Sequence, residues 1–378
     1  MSKPIETRIA VPEAVLRDLR ERLDRTRWPD ELPGESGRWG TRKSHLQDLC
    51  ATWANEYDWR KTEARINAYP NFLTTIDRQQ IHFMWIKSPE PNSIPLLMTH
   101  GWPGSVVEFL DVIDPLVRPR DHGAAGDVAF DLVIPSLPGY GWSGPTSESG
   151  WNLQRIAKAW KTLMSELGYR RYGAQGGDWG AMVSARLAQI DRDAMIGLHL
   201  NLALVPRVEG TITEQERADL DDVVAFVKFG SAYQVIQGRS PQTLAYGLSD
   251  SPAGLAGWII EKFDRWTDHD GDLEQAIRRE RLLDNLTVYW VTNTINSSMR
   301  LYAEAQLAND FGALRTRVEV PTGLAVFPKE MFRYPRAWLD KAFNLVRYTR
   351  MPRGGHFAAM EEPDLFVSDV RAFFRTAQ

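Results

Sequence analysis

The chain has 378 residues, 43% of them hydrophobic and 25% charged, with a net charge of −4 at neutral pH. That size buries a substantial core and that composition describes a soluble globular protein, while the acidic balance argues against nucleic acid or an anionic membrane as the main partner. The single cysteine, Cys50, excludes an internal disulfide and suits a reducing compartment. The first residues, MSKPIETRIAVPEAV, lack the apolar stretch of a signal peptide, and no run reaches the roughly 18 apolar residues of a membrane span, so the expected location is the cytoplasm.

Residues 1–75 read as an N-terminal wrapping segment. EAVLRDLRERLD predicts an amphipathic helix with Val15, Leu19 and Leu23 on one stripe. WPDELPGESGRWG follows as a Pro/Gly-rich meander, and SHLQDLCATWANEY predicts a second helix. NFLTTIDRQQIHFMWIKS alternates like a hairpin that turns near Asp77 and Arg78. Over residues 76–205 strand and helix then alternate. IPLLMTH is a strand ending in GWPGS, VVEFLDVIDPLV a helix, and FDLVIPS a strand ending in LPGYGWSG. NLQRIAKAWKTLMSELG is an amphipathic helix closed by Gly168, and AMIGLHLNLAL a further strand. Such alternation predicts an α/β fold: a mostly parallel central sheet with helices on both faces. Residues 206–300 are helical and rich in aromatics, which predicts a lid inserted between the sixth and seventh core strands. Residues 301–378 return to the core, with strands at PTGLAVF and NLVRYTRMP and a closing helix at PDLFVSDVRAFFRT.

The chemistry concentrates at YGAQGGDWGAMVSARLA, residues 172 to 188. It has the outline of a nucleophile elbow, a tight strand-to-helix turn that in many hydrolases reads G-x-S-x-G. Here Asp178 holds the central place, between Gly176, Gly177 and Gly180. Read alone, the motif equally fits an aspartate capping a helix. Three further features raise its weight. THGWPGS ends the strand IPLLM, where its backbone N–H groups and that of Trp179 could form an oxyanion hole. His356, in PRGGHF, follows the last strand, where a general base belongs. Glu330, in FPKE, follows the preceding strand and could orient His356. The order nucleophile, acid, histidine is that of α/β-hydrolases. His100 belongs to the turn, and His45, His82, His122, His199 and His269 are more simply core or surface residues.

A carboxylate in place of serine points to alkyl transfer. It displaces a leaving group at saturated carbon and becomes an ester of the enzyme, which a base-activated water must then hydrolyse. An epoxide leaves as a tethered alkoxide and needs an acid. Tyr233, in FGSAYQVIQ, and Tyr302, in SSMRLYAEA, are lid phenols suited to donate that proton, although sequence spacing cannot place them opposite Asp178.

These residues resemble the epoxide hydrolases of the microsomal type, within the α/β-hydrolase superfamily, over nearly the whole chain. VPEAVLRDLRERLDRTRWPDE, HGWPGS, PSLPGYGWSG, GGDWG, SDSPAGLAGWIIEKF, FPKE and RGGHFAAMEEPD occur in that family's order. The resemblance implies Asp178 as nucleophile, His356 as base, Glu330 as its acidic partner, and Tyr233 and Tyr302 as ring-opening acids. It also implies Trp102 and Trp179 at the oxyanion hole. Microsomal members carry an N-terminal membrane anchor, whereas this chain begins with the wrapping segment, as soluble microbial members do. The expected reaction is conversion of an apolar epoxide and water to a vicinal diol, without metal or organic cofactor. The alternatives are a haloalkane dehalogenase using the same aspartate and histidine, and a non-catalytic small-molecule-binding protein on the same scaffold. The N-terminal segment is read as wrapping its own core or, equally, as reaching a second copy in a homodimer.

Overall fold

The computed structural model describes residues 3–310 and 316–376. Its nine strands are β1 (Ile5–Thr7), β2 (Asn71–Ile76), β3 (Gln79–Ile86), β4 (Ile94–Thr99), β5 (Phe130–Pro135), β6 (Tyr172–Gly176), β7 (Met195–Leu200), β8 (Val318–Val326) and β9 (Phe343–Arg350). They form one sheet in the order β1-β2-β3-β5-β4-β6-β7-β8-β9. β1, β2 and β3 pair antiparallel, as does β3 with β5, and every pairing from β5 to β9 is parallel. β4 lies between β5 and β6, so the winding reverses there, and the loops after β4 and β6 open at the same end of the sheet, where open α/β sheets hold their ligands.

The central strands are buried on both faces, which explains their unbroken apolar runs. Along β4, Leu97 joins one core while Leu96 and Met98 join the other. The first core lies under helices α5 (Leu153–Glu166) and α6 (Asp178–Ile190). The second holds α3 (Trp59–Ile66), α4 (Ile113–Val117) and the closing helix (Pro363–Thr376). Each fully buried Leu or Ile there contributes about 2 kcal/mol. Asn152 caps α5 by accepting from Arg155 N–H at 3.0 Å, and Gly168 ends it at a φ of 84°.

Several local expectations change. VVEFLDVIDPLV is not one helix: a 3-10 turn at Val106–Phe109 is followed by the short α4. Pro115 has no N–H and would clash in a helix interior, so the helix restarts at Ile113 and leaves Pro115 in its first turn. In α1 (Glu13–Asp24) the buried stripe is Leu16, Leu19 and Leu23, with Val15 half-buried. β1 and α3 are short, three and eight residues, and neither stands among the elements expected from the sequence. β2 begins at Asn71, ahead of residue 76, and the last lid helix runs on past residue 300.

The lid is built from α7 (Glu214–Ala225), α8 (Ala232–Arg239), α9 (Pro241–Asp250), α10 (Pro252–Trp266), α11 (Arg279–Thr292) and α12 (Ile295–Leu307). It sits between β7 and β8, the sixth and seventh strands counted from β2. The N-terminal segment, with α1 and α2 (Lys43–Asn55), packs against it. Trp53 Nε1 donates to Thr287 Oγ1 at 2.9 Å, and the Tyr57 hydroxyl donates to the buried Asp284 at 2.8 Å. Among the described residues, no helix is long and apolar enough to cross a membrane.

Candidate active site

β6 ends at Gly176 and α6 starts at Asp178, so one residue carries the whole turn. Asp178 takes a φ of 48°, a left-handed conformation that costs a side chain of order 1–3 kcal/mol and is tolerated where the surroundings enforce it. They do so by close approach. A Cβ at Gly180 would stand 1.8 Å from the Thr99 carbonyl oxygen, and one at Gly101 would stand 2.3 Å from Asp178 Oδ1. Both glycines let the backbones of the two loops meet.

The loop after β4 turns through a cis Trp102–Pro103 peptide. His100 stiffens it: Nδ1–H donates to the Gly101 carbonyl at 3.0 Å, and Nε2 accepts from Leu137 N–H at 3.1 Å. Burial lowers His100 to about 4, which keeps it neutral for this double role. From the lid, Asn285 Nδ2 donates to the Pro103 carbonyl at 2.7 Å and the Tyr289 hydroxyl to the Gly104 carbonyl at 2.9 Å. The result is a fixed donor: Trp102 N–H lies 2.7 Å from Asp178 Oδ1. Trp179 follows in the first turn of α6.

His356 lies in the loop after β9. Its Nδ1 is 2.8 Å from Glu330 Oε2, and its Nε2 is 3.5 Å from Asp178 Oδ2. Burial disfavours the imidazolium, but the charges of Glu330 and Asp178 outweigh it and hold His356 well above its ordinary value. The loop is locked to the lid. His356 N–H donates to the Trp266 carbonyl at 2.9 Å, and Glu361 accepts from Asp268 N–H at 2.8 Å and Phe357 N–H at 2.9 Å. Burial pushes the Glu361 carboxyl up to about 7 despite those donors.

The two lid tyrosines come from α8 and α12 and meet above Asp178. Their ring centroids are 5.8 Å apart. Tyr233 stacks on Trp102 at 5.3 Å, and Tyr302 stands edge-on to Trp179 at 4.7 Å. Both hydroxyls are pushed above the usual phenol range, first by burial and then by nearby groups that include Asp178, so both stay protonated. A cavity of about 460 Å³ lies against Asp178, Trp179, Tyr233 and Tyr302, with Met182, Leu202 and Phe332 among its apolar walls.

All seven residues singled out from the sequence therefore fall within one region. Two acidic residues were missed. Glu361 closes the histidine loop from within RGGHFAAMEEPD, and Glu108 lies beneath the turn, two residues after the buried Val106. An acidic residue in a short apolar segment was the available signal.

The chain matches the family model described as Epoxide hydrolase N terminus over residues 4–109, and that described as alpha/beta hydrolase fold over residues 94–227. It is 37% identical to epoxide hydrolase 1 of Oryctolagus cuniculus over 97% of this chain and 87% of that protein. The crystal structure of juvenile hormone epoxide hydrolase from the silkworm Bombyx mori aligns with a TM-score of 0.92 at 34% identity, covering 100% of this chain and 96% of that one. Aspergillus niger epoxide hydrolase aligns with a TM-score of 0.88 at 31% identity, covering 100% and 97%. Identity of this level, sustained over almost the full length and joined to the same fold, goes beyond a shared architecture: the chain belongs to the epoxide hydrolase family.

Proposed function

We propose that the chain hydrolyses an apolar epoxide to a vicinal diol through an ester formed on Asp178. The observation that carries this reading is the meeting of one carboxylate and two protonated phenols at a single cavity. Trp102 N–H engages Oδ1, which leaves Oδ2 to attack. Oδ2 forms a bond to a ring carbon as the ring C–O bond breaks, and the ring oxygen takes a proton from Tyr233 or Tyr302, leaving a phenolate.

In the second step a water gives a proton to His356 Nε2 and adds to Cγ of Asp178. Negative charge moves to Oδ1, where the N–H groups of Trp102 and Trp179 hold it. Collapse releases the diol's alkoxide, which takes the proton from His356. The regenerated carboxyl returns its proton to the phenolate. Esterification also removes the Asp178 charge, one of the two that favour the imidazolium, and so moves His356 toward the neutral form a base needs.

The apolar lining and the cavity of about 460 Å³ suit a small to medium hydrophobic epoxide. Halide release by the same pair would call for indole donors at the leaving group. Here Trp179 packs against Tyr302, and the lid supplies phenols, which favours an epoxide. The test is a single turnover with enzyme in excess in heavy-oxygen water. The first diol should be unlabelled, its new oxygen having come from Asp178, and folded Asp178→Ala should make none. Label in the first diol would mean that water attacks the ring directly.

A further inference from the structure

Asp178 faces two cavities. Behind it, away from the tyrosines, lies a small cavity of about 20 Å³ walled by Asp178, His356, Glu108, Asn201, Trp102 and neighbouring residues. That volume holds one water molecule. Among the described residues, Asp178 alone is shared with the larger cavity, and the base His356 lines the small one. The alkylation side and the base side of the nucleophile are therefore physically separate.

Glu108 is the unexplained wall. Its carboxyl makes no hydrogen bond or ion pair with any described residue, and the fold makes room for it: a Cβ at Gly104 would stand 2.1 Å from Glu108 Oε2. The side chain is half-buried rather than sealed in packing, and it walls this cavity, so a water there can meet the carboxyl's demand for hydrogen bonds. Burial pushes it up to about 8, His356 opposing and Asp178 adding. Asn201 supplies a further polar wall; its Oδ1 is occupied by Gln175 Nε2 at 3.0 Å.

We infer that the small cavity holds the water that hydrolyses the ester, and that Glu108 orients it. The water directs one hydrogen to His356 Nε2 and the other to the Glu108 carbonyl oxygen, which turns a lone pair toward Cγ of Asp178. As the new C–O bond forms, the first hydrogen passes to Nε2 and the second stays on the attacking oxygen. Glu108 exchanges no proton, and a neutral acid there leaves His356 as the base.

This inference rests on the Asp178 ester. Its test is rapid-quench kinetics on the fastest substrate from a panel of propylene oxide, styrene oxide and limonene oxide, with the ester read by intact-protein mass. In Glu108→Leu, ester formation should slow by less than about twofold and ester hydrolysis by at least about tenfold, the worth of one hydrogen bond, so ester accumulates. Glu108→Gln keeps a carbonyl oxygen and should slow hydrolysis less than Glu108→Leu does; Glu108→Ala replaces the leucine variant if that one misfolds. Unchanged hydrolysis in the apolar variant, equal slowing of both steps, or equal slowing by Gln and Leu overturns the role of Glu108. His356→Ala separates the two readings. Ester trapped there beside normal hydrolysis in Glu108→Leu removes Glu108 alone, whereas no ester in His356→Ala removes the Asp178 ester itself.

Discussion

Glu330 and His356 are 26 positions apart in the chain, and Glu330 Oε2 stands 2.8 Å from His356 Nδ1. The contact fixes which imidazole nitrogen faces Asp178, because a proton held on Nδ1 by the carboxylate leaves Nε2 as the basic site. Replacing Glu330 by Gln should slow ester hydrolysis by roughly 10²-fold, within the range of a positioned base. It should also move the acid limb of that step. The Glu330 charge raises His356, so its loss lowers the pKa, and protonation of the base then sets in at lower pH. A pH profile of the hydrolysis step checks this; an acid limb that moves upward would contradict it.

Tyr233 and Tyr302 share one task in the proposed chemistry, protonating the opened ring. Tyr233→Phe and Tyr302→Phe should each lower kcat/KM by roughly 10- to 100-fold, and the double variant further, because general-acid assistance is worth at least that much. The loss belongs to ester formation. Mass spectrometry should therefore find no accumulated ester in either single variant, and a burst of ester would assign the tyrosines elsewhere.

Gly101 lies directly against Asp178. Its absent Cβ would overlap Asp178 Oδ1, Cγ and Cβ at 2.3 to 2.6 Å. Gly101→Ala should abolish measurable turnover by displacing Asp178 from Trp102 N–H while the secondary structure persists. Circular dichroism beside an activity assay tests it, and retained activity would show that the turn can relax.

Asp369, buried in the closing helix, ties that helix to two strands. It accepts from His199 Nε2 at 3.0 Å, Arg347 Nε at 2.8 Å and Thr349 Oγ1 at 2.8 Å. Burial opposes its charge, yet His199, Arg347 and Thr349 hold the carboxyl well below the usual range. A depressed carboxylate gives stability that is fully present above a pH of about 4 and is lost as pH falls through the folded value. Asp369→Ala should cost about 3 kcal/mol at pH 7 by leaving buried His199 and half-buried Arg347 without their acceptor. Urea melts at pH 7 and pH 3 should show a smaller gap between wild type and variant in acid.

The turn at Asp178 and the loops that carry His356 and Glu330 were legible because each is a local pattern. Gly176 to Gly180 announces a tight turn, and His356 and Glu330 follow strands that their apolar runs reveal. α4 was misjudged as part of a longer helix because the apolar spacing continued through Pro115, where backbone sterics decide. β1 escaped notice because its three residues gain their identity from pairing with β2.

The sequence by itself determined the alternation of strands and helices through the core and the aspartate at the centre of the elbow, since periodicity and turn residues act over a few neighbours. Only the tertiary structure decided that Tyr233 and Tyr302 meet over Asp178, and that Glu108 shares a cavity with His356. Those relationships depend on how the lid helices lie across the sheet and how closely glycine backbones let the loops approach. Packing of surfaces far apart in the chain sets both, and no local pattern records it.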